Sequence, residues 1–421
     1  MGCSVLLLAT METKHEAIAY FREAVAKYDV DCHILDLSLK SKGAVLSGAD
    51  KLQSMSVVAE DAKMVAQQAI EAGAAAAVSI GGGTGGAIAL DVMRDMPFAF
   101  PKMLITTLPF DPRYALADNA ITIVPTLADV CGLNAPLRQV LEKAAAMLAG
   151  LCQASTTLPH VSTNPSVGIT ALGVTGAAAD RLVAAIKEKG EEATVFHANG
   201  FGGAAYARFA RCNTFHSVVD LTCHELTRQH VAGAHVEMPD RFSAARDAGV
   251  PQIVLPGGMN FIGLGELSLV PPAYLERPHY RHSKLFTHVQ VTVDEMERVA
   301  QKLVGYLNGS TAPTSLVVPM GGFSHEDRAG GAIESPELRR VFLKIVEGSL
   351  RPHVGLKVSD SHINDAQITD LIMDELARCA RSTHASRMKR SAGEAATPPF
   401  DVGKRAAHKR APGSVHVPAN A

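Results

Sequence analysis

Short, wholly apolar runs alternate along the chain with longer stretches whose apolar residues recur every three to four positions. Residues 5–9, 32–37, 75–80, 102–107 and 120–124 read as strands, and residues 14–28, 57–72 and 133–151 read as helices. Around Ser155 to Pro165 the composition turns to Thr, Pro, His, Ser and Asn, which marks a linker. The alternation then restarts. Strands are predicted at 167–174, 192–197, 217–221, 251–255, 314–319 and 353–358, and helices at 177–189, 202–211 and 365–381. Continuous apolar strands separated by amphipathic helices require both faces of a sheet to be covered, so the chain is an α/β protein with mainly parallel sheets. The expected division is two doubly wound domains, 1–160 and 161–385, followed by a tail at 386–421.

Composition narrows the class. From Arg381 onward there are eight Lys or Arg against two acids and no apolar period, so the tail is expected to be disordered and basic. The whole chain has a formal net charge of −2, which argues against a general nucleic-acid binder. Trp is absent and aromatics are 5%, too few for an aromatic-rich sugar surface. Seven Cys stand singly, as expected of reduced thiols. No basic n-region precedes the apolar start and no run of about twenty apolar residues occurs, so a cytoplasmic protein with no membrane contact is expected.

The strongest local signal is Ser79-Ile-Gly-Gly-Gly-Thr-Gly-Gly86, between an apolar strand and a helix. Glycines let backbone N–H groups approach an anion, and a helix start adds partial positive charge. Gly81, Gly82, Gly83, Thr84 and Gly85 are therefore candidate phosphate contacts. Neither the Lys-bearing P-loop nor the dinucleotide GxGxxG fits this spacing. Thr10 and Lys14 end the first strand and Asp36 the second, and strand ends share one crevice in a doubly wound sheet. Asp111 and Arg113 follow the fourth strand, and Asp129 and Asn134 the fifth; each is either a crevice residue or a turn and cap residue.

The second half carries four more glycine turns, 173–176, 199–203, 256–258 and 320–322, which suggest a second anion or carbonyl site. Thr222, His224 and Glu225 follow a strand end, and Arg241, Arg281, His282 and Asp365 add polar groups. His224, Glu225 and Asp365 are candidates for acid–base work. Arg241, Arg281 and His282 are candidates to hold a substrate. No HxH or HExxH spacing occurs, so no dedicated zinc site is indicated and any metal ligand is unassigned. Cys223 beside His224 is a poor nucleophile candidate, because neighbours on a strand point to opposite faces.

Val5–Lys14, Ser79–Gly85 and Val124–Asn134, with Asp220–Leu226, Pro239–Arg241, Tyr280–His282 and His362–Asp365, resemble in one register the ATP-binding domain family of the tomato mosaic virus resistance protein. Bacterial members of that family carry only an uncharacterised-family label. The likeness runs from about Met1 to about Ala380. It implies two Rossmann-like domains, binding of ATP with Mg²⁺ and a homodimer. Plant and fungal relatives add a barrel domain, so the resemblance also implies a separate barrel-domain partner for a chain without one.

These readings converge on an ATP-binding protein with phosphates at Gly81 to Thr84. A small metabolite is expected in the interdomain cleft, as acceptor of a phosphoryl group or target of activation. Two alternatives stay open: a nucleotide-dependent binding module without turnover, and a nucleotide-independent hydrolase or isomerase of a small acid.

Overall fold

The computed structural model describes residues 3–39, 46–109, 116, 119–153, 166–233, 238 and 240–394, with side chains to residue 381. The predicted linker, Asp111, Arg113, Pro239 and the tail from residue 395 lie outside the described residues.

The first domain is built from β1 (Cys3–Ala9), α1 (Met11–Ala26), β2 (Val30–Asp36), α2 (Gly48–Glu71), β3 (Ala76–Gly81), α3 (Gly83–Asp95), β4 (Lys102–Thr106), β5 (Thr122–Pro125) and α4 (Ala135–Gln153). Its five strands are all parallel, in the order β2-β1-β3-β4-β5. The central strands β3 and β4 are buried at every position, whereas the edge strand β2 alternates. That contrast follows from helices on both faces. Helices α1 and α4 close one core around Phe21, Ile105 and Leu141, and α2 and α3 close the other around Leu8, Ile88 and Leu104.

The second domain repeats the plan: β6 (Ser166–Ala171), α5 (Gly176–Glu188), β7 (Glu192–His197), α6 (Phe201–Arg211), β8 (Ser217–Thr222), α7 (His224–His230) and β9 (Gln252–Gly257). After β9 come three short strands, β10 (Phe261–Leu264), β11 (His279–Arg281) and β12 (Thr287–Gln290). Then follow α8 (Val293–Asn308), β13 (Thr314–Pro319), α9 (Pro336–Ser349), β14 (Val354–Ser359) and α10 (Ala366–Glu394). The main sheet is parallel, ordered β14-β13-β9-β8-β6-β7. Both parallel sheets match the expected architecture. Among the described residues no helix is long and apolar enough to cross a membrane.

Two differences from the sequence reading matter. The last helix does not stop at residue 381 but continues to Glu394, because no Gly or Pro interrupts it before Gly393. The stretch 256–313, left without elements above, holds α8 and an antiparallel sheet ordered β10-β12-β11. Helix α8 has a legible start: Thr292 accepts from the Glu295 N–H while the Glu295 carboxylate accepts from the Thr292 N–H. Strands of three or four residues leave no such trace.

Candidate functional site

In each sheet the chain winds outward in two directions from its first strand. The crevice beside β1, between the ends of β1 and β3, and the one beside β6, between β6 and β8, are therefore switch points. A cavity lies at each.

The first cavity, about 610 Å³, is bounded by the loop after β1, the loop after β2 and the start of α3. Thr10, Lys14, Gly82, Gly83, Thr84 and Gly85 all line it. Lys51 on the first turn of α2 and Thr107 after β4 also face it, and neither was singled out by the sequence. Among the described residues Glu12 and Asp129 are its carboxylates. The Lys14 ammonium donates to the Val130 carbonyl, tying α1 to the loop after β5. At the rim Leu127 adopts φ +59 with 93% of its surface exposed. A leucine in the left-handed region is strained, and strain of this kind concentrates at functional sites.

Two predicted contacts fall outside this cavity. A Cβ on Gly81 would lie 2.7 Å from the Gly86 nitrogen, so Gly81 is required by the close approach of β3 to α3 and not by a ligand. Asp36 accepts from the N–H groups of Met11 (3.1 Å) and Ser38 (3.0 Å) and braces the start of α1. Asn134 accepts from the Leu137 N–H and caps α4.

The second cavity, about 410 Å³, lies wholly within the second domain. Its described lining residues all come from the second domain, and it shares none with the first cavity. Of the predicted residues, His224 and His282 line it. His197, Asn199, Arg228 and His288 join them.

Glu225 and Arg241 are not among the described lining residues. Both are fully buried. The Arg241 guanidinium donates to Asp220 at 2.7 Å through both Nη atoms and to Glu225 at 2.5 Å through Nε. Glu225 in turn accepts from the Gly200 N–H at 2.6 Å, at the start of α6. Two carboxylates share one guanidinium, and from this buried position Glu225 and Arg241 brace the 199–201 loop. Asp365 accepts from the His362 N–H at 2.8 Å and is not part of the cavity wall. Arg281 is exposed and donates to the Ser283 carbonyl. Cys223 is buried and its thiol is held well above its usual range by burial, which disarms it as a nucleophile.

The glycine turns of this domain have distinct occupants. A Cβ on Gly203 would lie 2.2 Å from the Glu225 carboxylate, so the anion at the 199–203 turn is the protein's own. A Cβ on Gly321 would strike the His362 backbone, and one on Gly257 the Leu221 carbonyl. Gly173 and Gly176 differ, for a Cβ on either meets nothing within 4 Å.

Four rings stack through the cavity wall: His282 on His288 (4.4 Å), His288 on Phe261 (4.2 Å) and Phe261 on His224 (4.5 Å). The Gly258 carbonyl can only accept, so Nδ1 of His224, 2.8 Å away, carries the proton. Burial, with Arg228 nearby, lowers His224 to about 3. Burial, with His282 and His224 nearby, lowers His288 to about 3. Both rings are neutral at physiological pH. Among the described residues no group of three His, Cys, Asp or Glu is placed to hold a metal.

Comparison with known proteins matches residues 3–157 to the N-terminal domain of an uncharacterised protein family (UPF0261) and residues 164–380 to its C-terminal domain. A UPF0261 protein of Brucella suis biovar 1 is 25% identical over 385 residues, covering 86% of this chain and 91% of its own. One from Clostridium tetani is 26% identical over 391 residues, covering 87% and 96%. The ToMV resistance protein Tm-1(GCR237) of Solanum lycopersicum is 26% identical over 383 residues, which are 89% of this chain but 50% of that protein.

Proposed function

The chain belongs to the uncharacterised protein family UPF0261 in both its domains, and on that premise we propose that the first-domain cavity binds the phosphate chain of ATP. One observation carries this reading: the glycine-rich start of α3 faces the Thr10–Lys14 loop across the switch point. The backbone N–H groups of residues 83–85 open a helix of thirteen residues, and their partial positive charge suits a phosphate. Thr84 and Thr107 offer hydroxyls, and Lys14 and Lys51 offer charge. The volume falls within the range of about 300–1,000 Å³ common for small-molecule sites.

Mg²⁺ fits only as a companion of the nucleotide. Among the described residues Glu12 and Asp129 are the two carboxylates on the wall, too few for a protein-built cage. When bound, the ion would neutralise phosphate charge. The separation of the two cavities favours the reading of a nucleotide-dependent binding module over direct phosphoryl transfer in one shared cleft.

The test is thermal. A ligand at a hundred times its dissociation constant adds about 2.7 kcal/mol to the stability of the folded state, a rise of roughly 5–10 °C for a domain of this size. ATP with Mg²⁺ is expected to produce such a rise. Gly82→Asp is expected to remove it while leaving the unliganded melting temperature within about 2 °C, since a Cβ there meets only the Thr107 hydroxyl at 3.7 Å. No rise with any nucleotide overturns the reading, and steady ADP formation overturns its turnover-free form.

A further inference from the structure

The second-domain cavity has features that the nucleotide reading does not use. Its wall holds one guanidinium, four imidazoles and one carboxamide, and among the described lining residues no carboxylate. Buried anions do occur in this domain, but Asp220 and Glu225 both face Arg241, Glu225 also accepts from the Gly200 N–H, and neither is a lining residue. The guanidinium of Arg228 is held in the wall by donating from Nη1 to the Asn199 carbonyl at 2.8 Å. That carbonyl belongs to the loop that Glu225 fixes through Gly200. The cation is thus mounted on a braced support.

The turn at 173–176 supplies the second element. It follows β6, opens α5, a helix of thirteen residues, and lines the cavity at Gly173 and Val174. Two of the other three glycine turns are packed against the backbone of neighbouring segments and the third seats Glu225. This turn alone of the four leaves open space at both of its glycines.

The third element is flat and apolar. Phe201, Phe261 and Phe286 join the stacked rings of His224, His282 and His288. Aromatic rings at this density form a wall for a planar body and offer little to a small, heavily hydrated ion. The end ring, His282, is exposed, so one edge of the stack is open to an incoming molecule.

We propose that this cavity binds a small metabolite with an aromatic or unsaturated body and one oxyanion group, the oxyanion directed to Arg228 and the start of α5, the body laid against the ring stack. The site is separate from the nucleotide cavity. Phosphate and carboxylate share the recognising chemistry, and the test separates them.

The experiment is calorimetric titration of the full chain with benzoate, phenyl phosphate, acetate, inorganic phosphate and benzylamine. Saturable binding of benzoate or phenyl phosphate is expected, with acetate and inorganic phosphate at least about tenfold weaker and benzylamine silent. A response to phenyl phosphate alone assigns a phosphomonoester, and a response to benzoate alone a carboxylic acid. Gly173→Asp places a carboxylate at the turn without a clash and is expected to weaken binding about tenfold or more, whereas the uncharged Gly173→Asn keeps most of it. Gly82→Asp leaves it unchanged. Three results overturn the proposal: no aromatic acid binds, benzylamine binds as well, or Gly82→Asp abolishes binding while Gly173→Asp does not.

Discussion

Two histidines set the acid limb of stability. His224 and His288 are held near 3 by burial, while the unfolded chain protonates such rings near 6.5. A depressed native value means that unfolding takes up protons below 6.5. The stabilisation is therefore complete above about pH 6.5 and declines as pH falls toward 3, by up to about 1.4 kcal/mol per pH unit for each ring. Urea midpoints are expected to drop between pH 7.5 and pH 5. His288→Phe keeps a ring in the stack between His282 and Phe261, and is expected to flatten that slope. An unchanged slope would mean that these rings are already protonated in the folded protein.

At the level of elements, one buried ion cluster ties three of them together. Arg241 lies after α7, Asp220 on β8 and Glu225 on α7, and through Gly200 the cluster reaches the start of α6. The β8–β9 register slips between Asp220 and Thr222, where Gly257 comes close to the Leu221 carbonyl. Removing one member strands the others in the interior, where an uncompensated charge costs about 3–5 kcal/mol. Arg241→Met should therefore lower urea stability of the second domain by that order. Adding Asp220→Asn and Glu225→Gln should recover part of it. A single variant of near-native stability would show that water reaches the cluster.

At the scale of the whole molecule, described side chains of the two domains meet around Phe98. Phe98 meets Phe209 edge-on at 5.1 Å, and Arg208 sits over Phe98 and donates to the Met96 carbonyl at 3.2 Å. Behind them the buried Lys102 ammonium donates to the Pro97 and Phe98 carbonyls, and burial, with Arg208 nearby, lowers it to about 8. An aromatic pair of this kind contributes about 0.5–1.5 kcal/mol beyond area burial. Phe98→Ala is expected to separate the calorimetric transitions of the two domains while leaving the circular dichroism spectrum intact. One unchanged transition would show that coupling runs elsewhere.

The apolar periodicity alone determined two parallel α/β sheets and the order of most of their elements, because a strand covered on both faces must be apolar throughout. The same alternation placed Thr10, Lys14 and Gly82–Gly85 at strand ends, and strand ends converge in any doubly wound sheet. What the pattern could not carry was which charges meet each other. Glu225 and Arg241 look like site residues in the sequence, and only folding pairs them with each other, across sixteen positions, and pairs Arg241 with Asp220, across twenty-one. Arg228 and His288 gave no signal of their own. Strand β12 brings His288 beside Gly263 of β10, and α7 brings Arg228 to the cavity at the end of β6, through pairings that no local spacing records. Burial decided the rest, since a side chain's chemistry depends on whether water or another charge stands beside it.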